Sequence, residues 1–523
     1  MHPWKCISVV LGVQSGRLAC PDGGSVTASA VAKPCSSKSL LLSIALLGSL
    51  ILLCAGVAPG VAAQKSDQDP AMAGMAGMDA PAEKSAKAAP AAQDAHQEPA
   101  KAQAASAETH GKEGSTAKGA HQEPAVEGKD EHAGAAEKHG KDSGSGHGVP
   151  GIGYIGLEKH EGGIDADKLK EFKERVTVEA MHKGKLDQLR LLFFALSFAA
   201  VCLAFAKIEK LEPLTRRLRA AIDWHALGTV TGIILTGLVI PSGIIITFFF
   251  MPTSLGVYSS VEAMTASPAL AFFRNLHNWS SEVFIWLLLL HAARTISTHM
   301  FLGRRKFIWL AGAMASAVGW VAFISGSFMR GDQEALEGFE HMMYSFTLVP
   351  GGSAVAQFFS GDLTLIRLTT LHVIATIFIM AVFLTLHVLM RKVHVLVESR
   401  WKMATIYSCV LTVLLAVQSL FMEAPFVRGL AGIPTISGIE YTKPPWPIYF
   451  LIQGENWFGA DAMVLILTVT FVPLIIFPYV IELLPMADER KRLVGKSAFY
   501  AGVFGLLLIS FIAAGGKIIA HIF

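Results

Sequence analysis

The chain carries little charge for its length. Only 16% of its 523 residues are Asp, Glu, Lys or Arg, whereas 52% are hydrophobic. A soluble domain typically has about 25% charged residues, so the composition argues against a soluble protein. The six cysteines stand singly, without a C-x-x-C or C-x-x-C-H pattern. The sequence therefore gives no support for a zinc site, a thiol redox centre or c-type haem attachment.

The first 150 residues contain little that could form a core. Residues 1–63 are predicted to be a signal peptide, because basic residues precede an apolar run that ends in small residues before Gln64. An uncleaved anchor is the alternative. Residues 64–150 are rich in Ala, Lys, Glu, Gly and His and repeat the sequence AHQEPA. We expect a solvated spacer, with copper binding by its His and Met residues as the alternative.

Eight apolar segments follow a mixed, charged stretch at 151–186, which is expected to be partly helical near the membrane surface. Most of them are about as long as a membrane-spanning helix requires. They cover approximately residues 189–206, 227–250, 276–298, 308–327, 368–390, 403–421, 461–482 and 498–519. Clusters of Lys and Arg follow the first, third, fifth and seventh segments, which places all four clusters on the cytoplasmic side. The pattern predicts a multi-pass protein of the bacterial cytoplasmic membrane with a periplasmic N-terminal tail.

Four histidines lie inside these segments with matched spacing. His277 and His291 are 14 residues apart, and His372 and His387 are 15 apart. Each spacing returns to nearly the same helix face and separates the two side chains by roughly 21–22 Å along the axis. Because both segments enter the membrane from outside, His277 should lie level with His372, and His291 level with His387. This arrangement predicts two bis-histidine haem sites suited to electron transfer.

The alternative is that these histidines are hydrogen-bonded packing residues or proton relays. Four intramembrane histidines with matched spacing and matched depth fit that interpretation less well than they fit two haem sites.

The residues around these histidines resemble cytochrome b of quinol-oxidising bc-type complexes. The motifs that carry the resemblance are Arg274-Asn275-Leu276-His277, His291-Ala292-Ala293-Arg294, Trp309-x-x-Gly312 with Gly326 and Asp332-Gln333, and the run from Arg367 to Lys392. The histidine spacing is similar to that of the chloroplast and cyanobacterial form. In that form a four-helix haem subunit and a three-helix subunit are separate chains, whereas here both parts resemble one fused stretch, approximately 208–523.

The resemblance implies an all-α integral membrane protein. Its expected parts are a four-helix di-haem bundle and a three-helix C-terminal part, preceded by one extra transmembrane helix. The expected domains are a low-complexity tail with a membrane-proximal segment at 64–186, the extra helix at 187–207, the di-haem domain at 208–402 and the C-terminal domain at 403–523.

Glycines on the haem-bundle helices are expected to let a flat porphyrin approach the backbone. The candidates are Gly243, Gly312 and Gly326, whereas Thr229 stands where the family has a fourth such glycine. The chloroplast form attaches a third haem through a cysteine, and Leu227 occupies that position here. A covalent third haem is therefore not expected.

Two arginines, Arg274 and Arg294, lie three residues from a histidine ligand and are expected to pair with haem propionates. Snorkelling to lipid headgroups is the alternative.

The function implied by the resemblance is that of the cytochrome b subunit of a membrane quinol:electron-acceptor oxidoreductase with two b haems. Its implied partners are quinol and quinone, a Rieske-type iron–sulfur protein and a cytochrome c or other redox subunit, in a homodimeric complex without nucleic acid. One alternative is a di-haem subunit that links an outer-face enzyme to the quinone pool without bifurcation. Another is a haem-bearing assembly or sensing subunit without turnover.

The chain departs from the family at its quinol-oxidation motif, Pro-Glu-Trp-Tyr. The matching stretch is Lys443-Pro444-Pro445-Trp446-Pro447, so Pro445 replaces the glutamate that accepts a quinol proton. Glu455, on the same outer loop, is the predicted replacement base, with a solvated loop residue as the alternative. Its competitors on the preceding outer loop are Asp332, Glu334, Glu337 and Glu340.

Overall fold

The structure is a computed structural model that describes most of the chain after the low-complexity tail. The described residues are 165–516, except 207, 391–397, 431–432, 437–440 and 460–461. Regular structure within these residues is helical, without a β-strand. The predicted signal peptide at 1–63 and the spacer at 64–150 lie outside the described residues.

Eight long helices in the described part of the chain correspond to the eight predicted segments. They are α1 (Ala166–Ala204), α3 (Trp224–Thr247), α5 (Pro268–Ser297), α6 (Lys306–Phe328), α9 (Thr364–Met390), α10 (Glu398–Phe421), α12 (Ala462–Leu483) and α13 (Asp488–Gly515). Shorter helices lie in the connections. They are α2 (Glu212–Ala221), α4 (Gly256–Ala266), α7 (Gln333–Thr347), α8 (Gly352–Phe358) and α11 (Tyr449–Phe458).

Seven of the long helices are apolar enough to cross a membrane, and α5 is the eighth long helix. The sequence of α5 includes Arg274, Glu282 and Arg294 along with the two histidines, which lowers its mean hydropathy. The all-helical membrane fold predicted from the sequence, with one extra helix before the others, is therefore confirmed.

Helix α1 includes part of the charged stretch that precedes the first predicted span. That stretch, which was expected to be partly helical, is helical from Ala166 onward and forms the first half of one continuous 39-residue helix. At 1.5 Å per residue such a helix is about 58 Å long, roughly twice the thickness of a bilayer's hydrocarbon core. Buried residues continue along its length from Phe172 to Ala204, so both halves pack against the rest of the protein.

The packing places the four histidines inside a bundle of α3, α5, α6 and α9. Helix α5 contacts α3, and α9 contacts α6. Helix α10 covers α5 and α3 from outside this bundle, and α1 lies against α13 and α5. Two π-helical turns interrupt the bundle helices, at Leu235–Val239 in α3 and at Thr370–Ala375 in α9. Such turns shift the helical register and are frequent at functional sites.

A polar lobe caps the end of the bundle at which His277 and His372 lie. We call this end the outer end, following the topology predicted from the charges. The outer lobe consists of α7, the described residues within 422–448 and α11, and the first half of α1 packs against it. Phe172 and Val176 of α1 are packed with Val427, Leu430 and Ile436 of the lobe.

Candidate functional site

The structure brings the four intramembrane histidines together as two facing pairs. The ring centroids of His277 and His372 are 6.2 Å apart, with an interplanar angle of 86°. Those of His291 and His387 are 6.3 Å apart, with an angle of 83°. Two imidazoles on opposite sides of one metal ion, each bonded at about 2.1 Å, have ring centres roughly 6.5 Å apart. Both pairs therefore have the separation that a shared iron requires.

Backbone carbonyls orient three of the four rings. In each case the Nδ1 atom lies within hydrogen-bonding distance of a carbonyl oxygen on a neighbouring helix. The acceptors are Val239 for His277 (2.9 Å), Ala322 for His372 (2.8 Å) and Ile308 for His387 (2.8 Å). A carbonyl can only accept, so Nδ1 carries the proton and Nε2 keeps a lone pair. This is the tautomer that binds a metal through Nε2.

Four glycines stand against these rings. A Cβ atom built on any of them would come closer than 3.0 Å to an imidazole Cε1 atom, a distance that real Cβ atoms essentially never show. The pairs are Gly228 with His291 (2.6 Å), Gly243 with His277 (2.8 Å), Gly312 with His387 (2.9 Å) and Gly326 with His372 (2.7 Å). The glycines thus make room for the imidazole rings themselves.

The fourth glycine corrects a sequence-based expectation. Thr229 was expected at the glycine position of the first bundle helix, but Gly228 occupies it. Gly228 and Gly243 are 15 residues apart, so both fall on nearly the same face of α3. An exact 14-residue spacing on this helix would have pointed to Thr229. The π-helical turn between the two glycines adds about one residue to the spacing at which α3 returns to the same face.

A large cavity surrounds the outer histidine pair. Its volume is about 210 Å³, and its lining is mainly apolar side chains of the four bundle helices. Arg274, Arg330 and Pro445 also line it. An apolar slot with two guanidinium groups at its edge suits a flat macrocycle that bears carboxylates. The residues present at the outer level therefore fit a bis-histidine haem.

The two predicted propionate partners have protein contacts of their own. Arg274 is buried and donates hydrogen bonds to the carbonyls of Ala424 (3.1 Å) and Pro425 (2.7 Å), which holds the outer lobe to α5. Arg294, also buried, contacts Nδ1 of His225 at the other end of α5. Arg330 was not singled out from the sequence, and it lines the outer cavity together with Arg274.

Glu455 lies on α11 and is buried. Its Oε1 atom is 2.7 Å from Nδ1 of His341 on α7. Among the residues described, it lines neither the outer cavity nor the smaller cavity beside Trp446. The structure thus pairs the predicted base with His341, a histidine of the preceding outer loop.

The carboxylates of the preceding loop bind the outer lobe together. Asp332 accepts from the backbone N–H of Ala335 (3.0 Å) and caps α7, and it also accepts from that of Val427 (2.8 Å). Burial raises its pKa. Glu337 accepts from the N–H (2.9 Å) and the hydroxyl (2.6 Å) of Thr442, and burial raises its pKa to about 7.

Glu334 differs from these two because cations surround it. Its carboxylate accepts a hydrogen bond from Lys183 of α1 (2.6 Å) and forms an ion pair with Arg330 (2.7 Å). Burial alone would raise its pKa, but Arg330 and Lys183 together lower it. Glu334 is therefore held as an anion that joins α1 to α7.

The Lys443–Pro447 stretch reaches two parts of the bundle at once. Pro445 lines the outer cavity, and the next residue, Trp446, donates a hydrogen bond from Nε1 to Oε2 of Glu282 at 2.9 Å. Sequence reasoning missed Glu282. The available signal was a carboxylate in the middle of a predicted span, which is rare enough to mark a functional candidate.

Comparison with known families agrees with this geometry. Residues 282–444 match the family model described as cytochrome b (N-terminal)/b6/petB. The matched stretch contains His291, His372 and His387, and it begins five residues after His277. This part of the chain is therefore similar to the cytochrome b N-terminal/b6 family, and the long apolar helices indicate a multi-pass membrane protein.

Curated relatives match a similar length of chain. Cytochrome b6 of Prochlorococcus marinus strain NATL1A and cytochrome b6 of Synechococcus sp. strain WH7803 are each 26% identical over 161 residues. The match covers 28% of this chain and 72% of each relative. A solved chain titled "Hyperthermophilic respiratory Complex III" superposes with a TM-score of 0.43 at 15% identity, over 56% of this chain and 93% of that one.

Proposed function

We propose that this chain is the cytochrome b subunit of a bc-type quinol-oxidising complex. In this proposal it carries electrons across the membrane through two b haems, one between His277 and His372 and the other between His291 and His387. The observation that carries the proposal is the pair of facing histidine couples, both spaced for a shared metal ion. The similarity of residues 282–444 to the cytochrome b family model supports haem b as the cofactor.

The side chains of the bundle determine what each site can do. Nε2 of each histidine would be the iron ligand, and two imidazoles leave no position for oxygen or substrate. When bound, such a group supplies a one-electron redox centre. Hydrogen bonds from Nδ1 to carbonyls fix the ring planes and make the imidazoles better donors. Arg274 and Arg330 would neutralise propionates at the outer level, and Arg294 is the candidate at the inner level.

Quinol oxidation belongs to the outer end in this proposal. Pro445 and the two arginines line the outer cavity, next to the pair His277 and His372. A Rieske-type iron–sulfur protein would take one electron and pass it to a cytochrome c or other redox subunit. The whole complex would be a homodimer. Glu455 stays the sequence-based prediction for the proton acceptor.

Localisation and domain limits are part of the same proposal. The complex would sit in a bacterial cytoplasmic membrane, with the tail before α1 on the periplasmic side. The di-haem domain would cover residues 208–402, and the C-terminal domain 403–523. The apolar helices and the Lys/Arg clusters after alternate spans support this arrangement.

A second candidate function is favoured by one observation. Because Pro445 replaces the motif glutamate, the chain lacks the family's own proton acceptor at that position. A di-haem subunit that passes electrons between an outer-face enzyme and the quinone pool would not need bifurcated quinol oxidation at this motif.

Purification of the complex from native membranes tests both functions. The main function predicts two b haems per chain, rapid haem reduction by added quinol, and block of turnover by inhibitors of outer and inner quinone sites. It also predicts a co-purifying iron–sulfur protein. A complex that contains two haems but is blocked by inner-site inhibitors alone would favour the second function. One haem per chain would contradict both.

A further inference from the structure

Glu282 is a partly buried ionisable side chain in the middle of α5 that the haem sites do not use. It lies on α5 between His277 and His291, five residues after the first. Five residues correspond to about 140° of rotation from His277, so Glu282 points away from the haem face. Carboxylates at such positions are costly in a membrane and are retained where they move ions or protons.

A narrow cavity adjoins the carboxylate. Its volume is about 30 Å³, and its polar lining comes from Arg190 of α1, Gln418 of α10 and Glu282, next to the rings of Trp279 and Trp446. This space is sufficient for a water molecule with several polar partners. Glu282 therefore has access to a position where water can relay a proton.

Two neutral donors hold the carboxylate. Trp446 donates from Nε1 to Oε2 at 2.9 Å, and Asn278 donates from Nδ2 to Oε1 at 3.4 Å. The short bond connects Glu282 directly to the Lys443–Pro447 stretch. Pro445, the residue before Trp446, lines the outer cavity. The carboxylate of Glu282 thus contacts Trp446, the residue that directly follows Pro445, and Pro445 is the residue that replaces the motif glutamate.

Helix α1 continues the polar path toward the outer lobe. Lys183, Asp187 and Arg190 lie on one face of α1, at spacings of four and three residues. They are the charged groups that act on Glu282. Arg190 pairs with Asp187 at 2.7 Å and lies over the ring of Trp279 at 5.1 Å.

The next contacts on this path reach the outer lobe itself. Asp187 accepts a hydrogen bond from the hydroxyl of Tyr449 at 2.7 Å. Lys183 donates to Glu334 at 2.6 Å. Polar groups therefore extend from the small cavity to the lobe, along a helix that the family resemblance does not cover.

We propose that Glu282 accepts a proton when quinol is oxidised at the outer cavity, a role that rests on the proposed function above. A quinol O–H bond breaks, and its proton forms an O–H bond on the Glu282 carboxylate, relayed by water in the small cavity. The two electrons of the quinol go to one-electron acceptors, a b haem and the iron–sulfur partner, and the proton of its other O–H group leaves with the electron that the iron–sulfur partner takes. Glu282 then returns its proton to the outer side along the α1 groups.

The test compares single-residue variants with the wild type in the purified complex. Glu282→Gln keeps the size and the acceptor for Trp446 but cannot take a proton. Glu282→Asp restores a carboxylate. Glu482→Gln is the matched control, because Glu482 pairs with Lys306 at the opposite end of the bundle. Haem content, quinol turnover across a range of pH, and carboxylic C=O bands in redox-difference infrared spectra are measured for each.

We expect Glu282→Gln to lose roughly 10²–10⁴-fold in quinol turnover with unchanged haem content, the range for removal of an acid–base group. The rise of activity with pH on the acid side should vanish, and a redox-linked C=O band should disappear. Glu282→Asp should recover part of both, and Glu482→Gln should match the wild type. Trp446→Phe, which removes the N–H donor, should move the acid side of the profile to higher pH.

Two results would overturn the proposal while leaving the proposed function intact. One is wild-type turnover and an unchanged pH profile in Glu282→Gln. The other is loss of the acid side in Glu455→Gln alone, which would assign the proton to the pair of Glu455 and His341. A wild-type complex that does not oxidise quinol at its outer side would instead refute the proposed function, and the role of Glu282 with it.

Discussion

The membrane bundle and the outer lobe are organised by different rules. In the bundle, the same arrangement occurs more than once. A backbone carbonyl orients an imidazole ring, and a glycine four residues later on the same helix makes room for that ring. This occurs with Val239 and Gly243 and with Ala322 and Gly326. In the outer lobe, the contacts that hold its segments to one another and to α1 join particular pairs of residues that lie far apart in sequence. The bundle is therefore periodic, whereas the lobe depends on single charged side chains.

Replacing one histidine should produce the largest effect on the bundle. We expect His277→Leu or His372→Leu to abolish the outer haem, and His291→Leu or His387→Leu to abolish the inner one, because one remaining imidazole cannot complete bis-histidine ligation. Reduced-minus-oxidised spectra and haem extraction of each purified variant measure this. If His277→Leu and His291→Leu lost the same haem, the pairing across α5 and α9 would be wrong.

The glycine repeat predicts the next largest effect. Gly243→Ala places a Cβ 2.8 Å from the His277 ring, so the ring must shift, and overpacking of this kind costs about 1–3 kcal/mol. We expect reduced outer-haem content and a changed spectrum. Gly232→Ala on the same helix is the control, because nothing lies within 4 Å of its added Cβ. Equal spectra for the two variants would show that the glycine gap is not needed.

For the outer lobe, removal of one cation should have a measurable effect. Lys183→Met leaves the buried carboxylate of Glu334 with one fewer donor, for which we expect about 1–3 kcal/mol of destabilisation. Lys185→Met, two residues away and exposed, should be close to neutral. Thermal unfolding and amide exchange of α7 report the difference. A Lys183→Met protein with unchanged exchange in α7 would mean that α1 does not hold the lobe.

The smallest expected effect is a pH dependence of the lobe. Burial raises the pKa of Glu337 from its ordinary 4.5 to about 7, so the folded state binds this proton more tightly than the unfolded state. Its contribution to stability is present below pH 4.5 and is lost as the pH rises through about 7. We expect melting temperatures of the wild type to fall more between pH 5 and 8 than those of Glu337→Gln. Parallel curves would exclude Glu337 as the group responsible.

The same contrast explains what could be predicted from the sequence. Hydropathy and the spacing of His277, His291, His372 and His387 are periodic signals, and the structure brings these residues together as predicted. Gly228 was missed because a π-helical turn lengthens the spacing between the two glycines of α3 by about one residue, and no sequence pattern predicted that turn.

The lobe was beyond sequence reasoning for a different reason. The contacts of Glu455 with His341 and of Glu282 with Trp446 join residues 114 and 164 positions apart. Partners at such separations are selected by tertiary packing, and a single sequence carries no periodic trace of them.

Helix α1 has a consequence for how the protein is made. It leaves the ribosome before every helix that it will contact, since Glu334, Lys443 and Tyr449 are encoded at least 144 residues after Arg190. During that interval two charges must enter or approach the lipid without their final neighbours. Asp187 and Arg190 are three residues apart and bond at 2.7 Å within the helix itself. Because the two charges can neutralise each other within one turn of α1, the pair lowers the cost of placing this helix in lipid before the lobe that it later contacts has been made.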